Sequence, residues 1–243
     1  MYSIFRKEIN TFFSTLIGYL VIGQFLFYLG AVMFIFPDSS LLNFGYASMD
    51  QLFSFAPQIF IFLIPAISMS TFAEEQKSGT MELLATQPLS DWKIILGKFF
   101  ANVALVVFAL IPTVLYYYTV YQLGNPKGNL DSGAIMGSYM GLVFLASAFT
   151  AIGIFASSLT KDQIVAFILA TFLCVIFYYG FQLISTLPIF MGRSDYLVQM
   201  IGIDYHYDSM SRGVFDSRDV IYFFSLTFFF IFLTKLSLES RNW

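Results

Sequence analysis

Residues 135–183 read IMGSYMGLVFLASAFTAIGIFASSLTKDQIVAFILATFLCVIFYYGFQL. Two apolar runs, 135–159 and 164–183, carry no Asp, Glu, Lys, Arg or His, and only a short polar turn around Lys161 and Asp162 separates them. A bilayer core about 30 Å thick takes about 20 apolar residues in helix, and irregular backbone cannot face lipid because its polar groups would go unpaired. The stretch therefore predicts two membrane-spanning helices joined by a tight turn. Working outward, four more runs meet the same condition, at 16–36, 52–72, 99–121 and 220–238. Only the last holds a charge, Lys235, close enough to the end of its run for the ammonium to reach the headgroups. The expected fold class is an all-α membrane protein with six transmembrane helices.

Composition agrees. Of 243 residues, 58% are hydrophobic, 20% aromatic and only 11% charged, against about 25% charged in soluble domains. A net charge of −3 argues against a nucleic-acid partner, which needs a concentrated basic surface to displace counterions. The single cysteine, Cys174, excludes an intrachain disulfide and reads as a small apolar packer.

Orientation follows from Lys and Arg, which stay on the cytoplasmic side. With the N-terminus inside, the inner segments hold Arg6, Lys7, Lys77, Lys93, Lys98, Lys161, Lys235 and Arg241, and the outer loops only Lys127, Arg193, Arg212 and Arg218. Eight against four favours both termini in the cytoplasm, and the expected location is the inner, cytoplasmic membrane. The first run is too long for a signal peptide and lacks a cleavage pattern, so it reads as a retained helix. Residues 1–15 precede it. There Tyr2, Phe5, Ile9, Phe12 and Leu16 recur at spacings of three and four, with Arg6 and Lys7 elsewhere around the turn, which predicts an amphipathic helix lying in the interface. The remainder, 16–243, forms one six-span domain.

Proline and small residues mark further features. Pro57, Pro65 and Pro112 lie inside spans and each removes a helical hydrogen bond. Span four carries Gly137 and Gly141, Ser147 and Ala151, then Gly153 and Ser157, a face expected to pack closely on a helix of this chain or another.

Conventional chemistry is missing. No ionisable residue lies deep in the spans, which weakens an ion-coupled transporter. There is no phosphate loop; Gly97-Lys98 lacks both the upstream glycine and the following hydroxyl. The alternation Asp204, His206, Asp208 would share a face only on a strand. With one histidine in the chain it reads as a solvated loop, so neither a metal site nor a catalytic residue is expected. No polar substrate site is expected in the spans.

The informative segment is the long inner loop, 73–98, AEEQKSGTMELLATQPLSDWKIILGK. It predicts two short helices, one beginning at Thr80 and stopped by Pro88, the other capped by Ser90 with Asp91 at its positive end. Trp92, Ile95, Leu96 and Phe99 form an apolar stripe leading into span three. The pattern fits equally a loop resting on the membrane surface and a docking element for a cytosolic partner.

This loop resembles that of type-2 ABC transporter permeases, the ABC-2 family, in Glu75, the stretch Ser78, Gly79, Thr80, Glu82, Leu83, Leu84, then Pro88, Gly97 and Lys98. The turn 157–166 and the segment 205–223, with Ser211-Arg212-Gly213 and Arg218-Asp219-Val220-Ile221-Tyr222, are similar as well. Within the family the chain looks most like the gliding-motility-associated permease subunit of Bacteroidota, with copper-site maturation permeases as near relatives. The resemblance implies a non-catalytic membrane subunit without a cofactor of its own. Two copies of a cytosolic ABC ATPase would hold ATP and Mg. A second membrane subunit, one with a large periplasmic domain or a second copy of this chain, would complete the complex. It implies that Glu75, Gly79, Thr80, Glu82, Leu84 and Pro88 form the ATPase-coupling surface. Segment 185–219, with Thr186, Pro188, Arg212, Gly213 and Asp219, would form a re-entrant outer element. Two competing readings are a scaffold of a motility machine that transports nothing and an ion-coupled transporter or channel.

Overall fold

The structure, a computed structural model, describes residues 1–37, 40–44, 47–80, 90–188 and 195–240, less the side chains of residues 17, 42 and 44. Among these residues every regular element is helical. An N-terminal helix, α1 (Tyr2–Ser14), precedes span one, α2 (Leu16–Phe34), and a single turn, α3 (Leu41–Phe44), follows it. Span two is α4 (Asp50–Ser68) continued by α5 (Ser70–Lys77); span three is α6 (Asp91–Leu110) continued by α7 (Val114–Leu123). Span four is α8 (Ser132–Leu159). Span five is α9 (Gln163–Val175) extended through a π-helical stretch to α10 (Phe181–Ser185). Two short helices, α11 (Asp195–Gln199) and α12 (Ile203–Ser211), lead into span six, α13 (Ser217–Glu239).

Five of these units are long and apolar enough to cross a membrane unaided, and the sixth is the pair α1 and α2, bent by 73°. The bend has a local cause. Thr15 is extended, its hydroxyl donates to Phe12 O, and it accepts from Gly18 N, ending one helix and capping the next. The face that α1 buries differs from the expected stripe: Tyr2 and Leu16 are each 76% exposed, whereas Ile4 is buried and Ile9, Phe12 and Phe13 pack on the core. The reason is that α1 packs on α6. Gly97 presents no side chain, and a Cβ there would lie 3.2 Å from Met1 O and 3.3 Å from Ile4 Cβ.

Span four is the centre of the bundle, with 72% of its apolar window buried against 22% for spans five and six. Its small residues meet partners in the same chain. Gly137 packs on Gly213, Gly141 on Met210 and Gly153 on Ser68, where an added Cβ would overlap the hydroxyl. Ser157 performs a further task. Its hydroxyl accepts from Phe72 N and Ala73 N at 3.0 and 3.1 Å and donates to Met69 O at 2.8 Å, which satisfies the backbone where span two breaks between α4 and α5. Pro112 acts as expected, replacing one turn of span three by a 3₁₀ turn, Ile111–Thr113. Pro57 and Pro65 lie within the continuous α4.

The second helix expected within loop 73–98 is the start of span three itself: Asp91 to Leu110 is one helix. Ser90 takes the N-cap position without a side-chain hydrogen bond, while Asp91 sits in the first turn. At the other end of the bundle, residues 203–211 form a helix where a solvated loop was expected. Asp204, His206 and Asp208 therefore do not share a face: His206 and Tyr207 point inward and Asp208 is exposed. Tyr207 donates to Phe53 O at 2.8 Å and Ser138 to Ser211 O at 2.7 Å, so α12 is bound to spans two and four.

Candidate functional site

Where α1, α5 and α6 meet, four charged side chains converge. Lys98, 1% exposed, donates to Glu8 Oε1 at 2.8 Å and to Thr71 O at 2.7 Å, and its ammonium also lies 3.0 Å from Glu75 Oε2 as an ion pair. Glu75 Oε1 takes a second cation, Lys7, at 2.8 Å. Two lysines and two glutamates leave the cluster neutral. Asn102, one turn further along α6, donates to Thr71 Oγ1 at 2.9 Å, and the Phe72 ring lies 5.1 Å from the Lys98 nitrogen. Burial pulls the Lys7 ammonium down, but the Glu75 hydrogen bond and the charges of Glu75, Glu8 and Glu74 outweigh it and hold the group above its ordinary range. A charge as buried as Lys98 is stable only while its partners stay in place, and removing one costs about 3–5 kcal/mol. The hub thus ties the two ends of loop 73–98 to each other and both to α1.

Beyond Glu75, the helix α5 ends as the sequence dictates. Ser78 donates through its hydroxyl to Glu74 O at 2.9 Å, Gly79 turns the chain with φ at +71°, and Thr80 Oγ1 lies 2.9 Å from Ser78 Oγ. Glu74, Lys77, Ser78, Gly79 and Thr80 are all exposed, a polar ridge beside the hub. Glu82, Leu84 and Pro88 lie outside the described residues. Glu75 is therefore the expected coupling residue that turns inward, and Gly79 and Thr80 are those left facing outward. Glu8 and Lys98 had not been read as a pair. The one signal was Gly97-Lys98, where glycine admits the α1 backbone and lysine binds the helix it admits.

At mid-depth, spans one, two and five enclose a cleft of about 550 Å³ whose lining includes Gln24, Phe25, Gln58, Phe62 and Phe167. Gln24 and Gln58 each occupy the middle of a 19-residue helix, both are exposed, and neither has a hydrogen-bond partner among the described residues. The spans are thus less featureless than their lack of charge suggested.

At the end of the bundle remote from the hub, the residues expected of a re-entrant element separate into distinct roles. Thr186 caps α10 by donating to Leu183 O at 2.7 Å, and Pro188 is exposed. Arg212 makes only a surface ion pair with Asp208. Gly213, with φ at +77°, brings the chain against Ala134, where a Cβ would lie 2.4 Å from Ala134 Cα. Asp219 is buried against His206. Among the described residues no group of three potential metal ligands is close enough to hold an ion.

A family model described as ABC-2 family transporter protein matches residues 36–192. The chain belongs to the ABC-2 family. It is accordingly a membrane permease subunit of an ABC transporter, with an ABC ATPase and the lipid bilayer as its partners. The matched range contains the cleft-lining half of span two, Glu75, Lys98 and the whole of span four. No curated protein matches the chain in sequence.

Proposed function

We propose that this ABC-2 permease converts ATP hydrolysis in a separate cytosolic subunit into movement of its spans, for export or for mechanical work across the inner membrane. Loop 73–98 is where the ATPase acts. The observation that carries this reading is the Lys98 hub: a push on either end of the loop reaches the base of spans two and three and, through Glu8 and Lys7, the helix leading into span one. Buried ion pairs of this kind would transmit displacement because breaking one costs several kcal/mol. Both termini and the loop then lie in the cytoplasm, and 185–219 lies on the outer side.

The cleft supports a paired membrane assembly. Unpaired carboxamides at mid-membrane depth are costly against lipid, and a second membrane subunit offering polar groups would satisfy Gln24 and Gln58. Gliding motility is the role we favour, on the sequence resemblance given above; copper-site maturation is the alternative. Copurification of a second membrane protein with a large outer domain favours the former.

The test uses the chain purified together with its ATPase. Lys98→Met is expected to leave the complex assembled while the permease's effect on ATP hydrolysis falls toward that of the isolated ATPase. Unchanged hydrolysis in that variant overturns the assignment of the loop. Full function in cells of complexes whose ATPase is inactive would favour the scaffold reading instead.

A further inference from the structure

We infer that a cavity at the end of the bundle remote from the hub binds an organic ammonium group, held between the rings of Tyr196 and Tyr205 and the carboxylate of Asp204. The cavity holds about 640 Å³, a size usual for small-molecule sites. Four elements wall it: the end of span five with Tyr178 and Gln182, α11 with Tyr196, α12 with Asp204 and Tyr205, and the head of span six with Arg218. The two tyrosines form a fixed corner. Their centroids lie 5.7 Å apart with the planes at 86°, and the Tyr205 hydroxyl donates to that of Tyr196 at 3.0 Å. Behind Tyr205 stands the His206 ring, 5.2 Å away, itself fixed at one nitrogen by Asp219 and at the other by the carbonyl oxygen of Met200. Both tyrosines are exposed. The faces of such rings attract a cation within about 6 Å, and a corner already in place loses little freedom on binding.

The charges of the lining select the ligand. Asp204, Asp208, Asp216 and Asp219 line the cavity against two guanidiniums, Arg212 and Arg218. Three of the carboxylates are already engaged. Asp208 pairs with Arg212 at 2.7 Å, Asp219 holds His206 and the Ser209 hydroxyl, and Asp216 caps span six by accepting from Arg218 N at 2.9 Å. Asp204 is left half-buried, without an ion pair among the described residues, and one helical turn before the like-charged Asp208. An anion is repelled by this lining, and a neutral apolar ligand leaves Asp204 unanswered. A bare metal ion does not fit either, since no group of three potential ligands is close enough among the described residues. An ammonium bearing alkyl groups answers both features, its charge toward Asp204 and its apolar surface on the rings. Such a group arrives as a free amine or as the headgroup of a zwitterionic lipid. Arg218, exposed and without an ion pair among the described residues, would take the phosphate of the latter.

The test is a ligand-observed NMR titration of the full chain in maltoside detergent, which carries no ammonium. The probes are choline, its neutral tert-butyl analogue and phosphocholine. Choline is expected to bind saturably and the neutral analogue to compete poorly. Tyr205→Leu and Asp204→Asn are each expected to weaken choline roughly fivefold to tenfold, whereas Tyr205→Phe keeps the ring and most of the affinity. Phosphocholine binding more tightly than choline, with the gain lost in Arg218→Gln, points to a lipid headgroup; equal binding of the two points to a free amine. Unfolding midpoints show which variants remain folded, and the preference for choline over its neutral analogue is read on the wild-type chain alone. Absence of saturable choline binding, equal binding of the neutral analogue, or unchanged affinity in a folded Tyr205→Leu overturns the site.

Discussion

The Lys98 ammonium lies 2.8 Å from the Glu8 carboxylate, ninety residues earlier in the chain. That contact joins the helix before span one to the helix that begins span three, and Glu75 of span two completes it at 3.0 Å. Three spans thereby meet in one neutral cluster at the end of the bundle where the loop 73–98 departs.

Replacing Lys98 by Met leaves Glu8 without its buried cation and Glu75 with Lys7 alone. A loss of about 3–5 kcal/mol of stability is expected, read as a lowered unfolding midpoint in detergent. Combining Lys98→Met with Glu8→Gln and Glu75→Gln removes the uncompensated charges and is expected to recover a large part of that loss.

Two glycines with opposite surroundings give a paired prediction. Gly213 has φ at +77° and a Cβ would press on the Ala134 backbone, so Gly213→Ala is expected to cost about 2 kcal/mol or more. Gly23 has nothing within 4 Å of the added atom and lies in a helix, so Gly23→Ala is expected to be neutral or to gain up to about 1 kcal/mol. Thermal unfolding of the two variants side by side checks both signs.

The cleft predicts an effect on association rather than on folding. Gln24→Leu and Gln58→Leu are expected to leave the unfolding midpoint of the isolated chain nearly unchanged and to weaken its pairing with the second membrane subunit. Copurification yields measure this.

Burial raises the Asp204 carboxyl above its ordinary value; the Tyr178 hydroxyl partly opposes this, and the Asp208 charge adds to it. A carboxyl raised on folding stabilises the folded state at low pH, and that contribution is lost as pH rises through the raised value. The wild-type chain is therefore expected to gain stability over Asp204→Asn as pH falls. Unfolding midpoints of the two across the acid range test the sign.

Much of the fold was legible because its signal is local. Each span declares itself by an uninterrupted apolar run, and Pro112 marks its own 3₁₀ turn. The hub was not legible, because counting Lys98 and Glu8 as charges on the same side of the membrane says nothing about their meeting across ninety residues. Gln24 and Gln58 passed unnoticed since a single amide does not break an apolar run. The segment 204–208 was read as a solvated loop because its alternating polar residues show no apolar period, whereas the chain is helical there and turns His206 and Tyr207 inward. Glycine spacing in span four did foretell close packing, but its partners, Ser68, Met210 and Gly213, come from distant parts of the chain.

The central claim, that the ATPase docks on the loop beside the hub, is tested most directly by site-specific photocrosslinking in the assembled complex. A photoreactive residue at exposed Thr80 is expected to capture the ATPase subunit, and one at exposed Arg212, at the opposite end of the bundle, is expected not to. Capture from Arg212 with none from Thr80 would contradict the account.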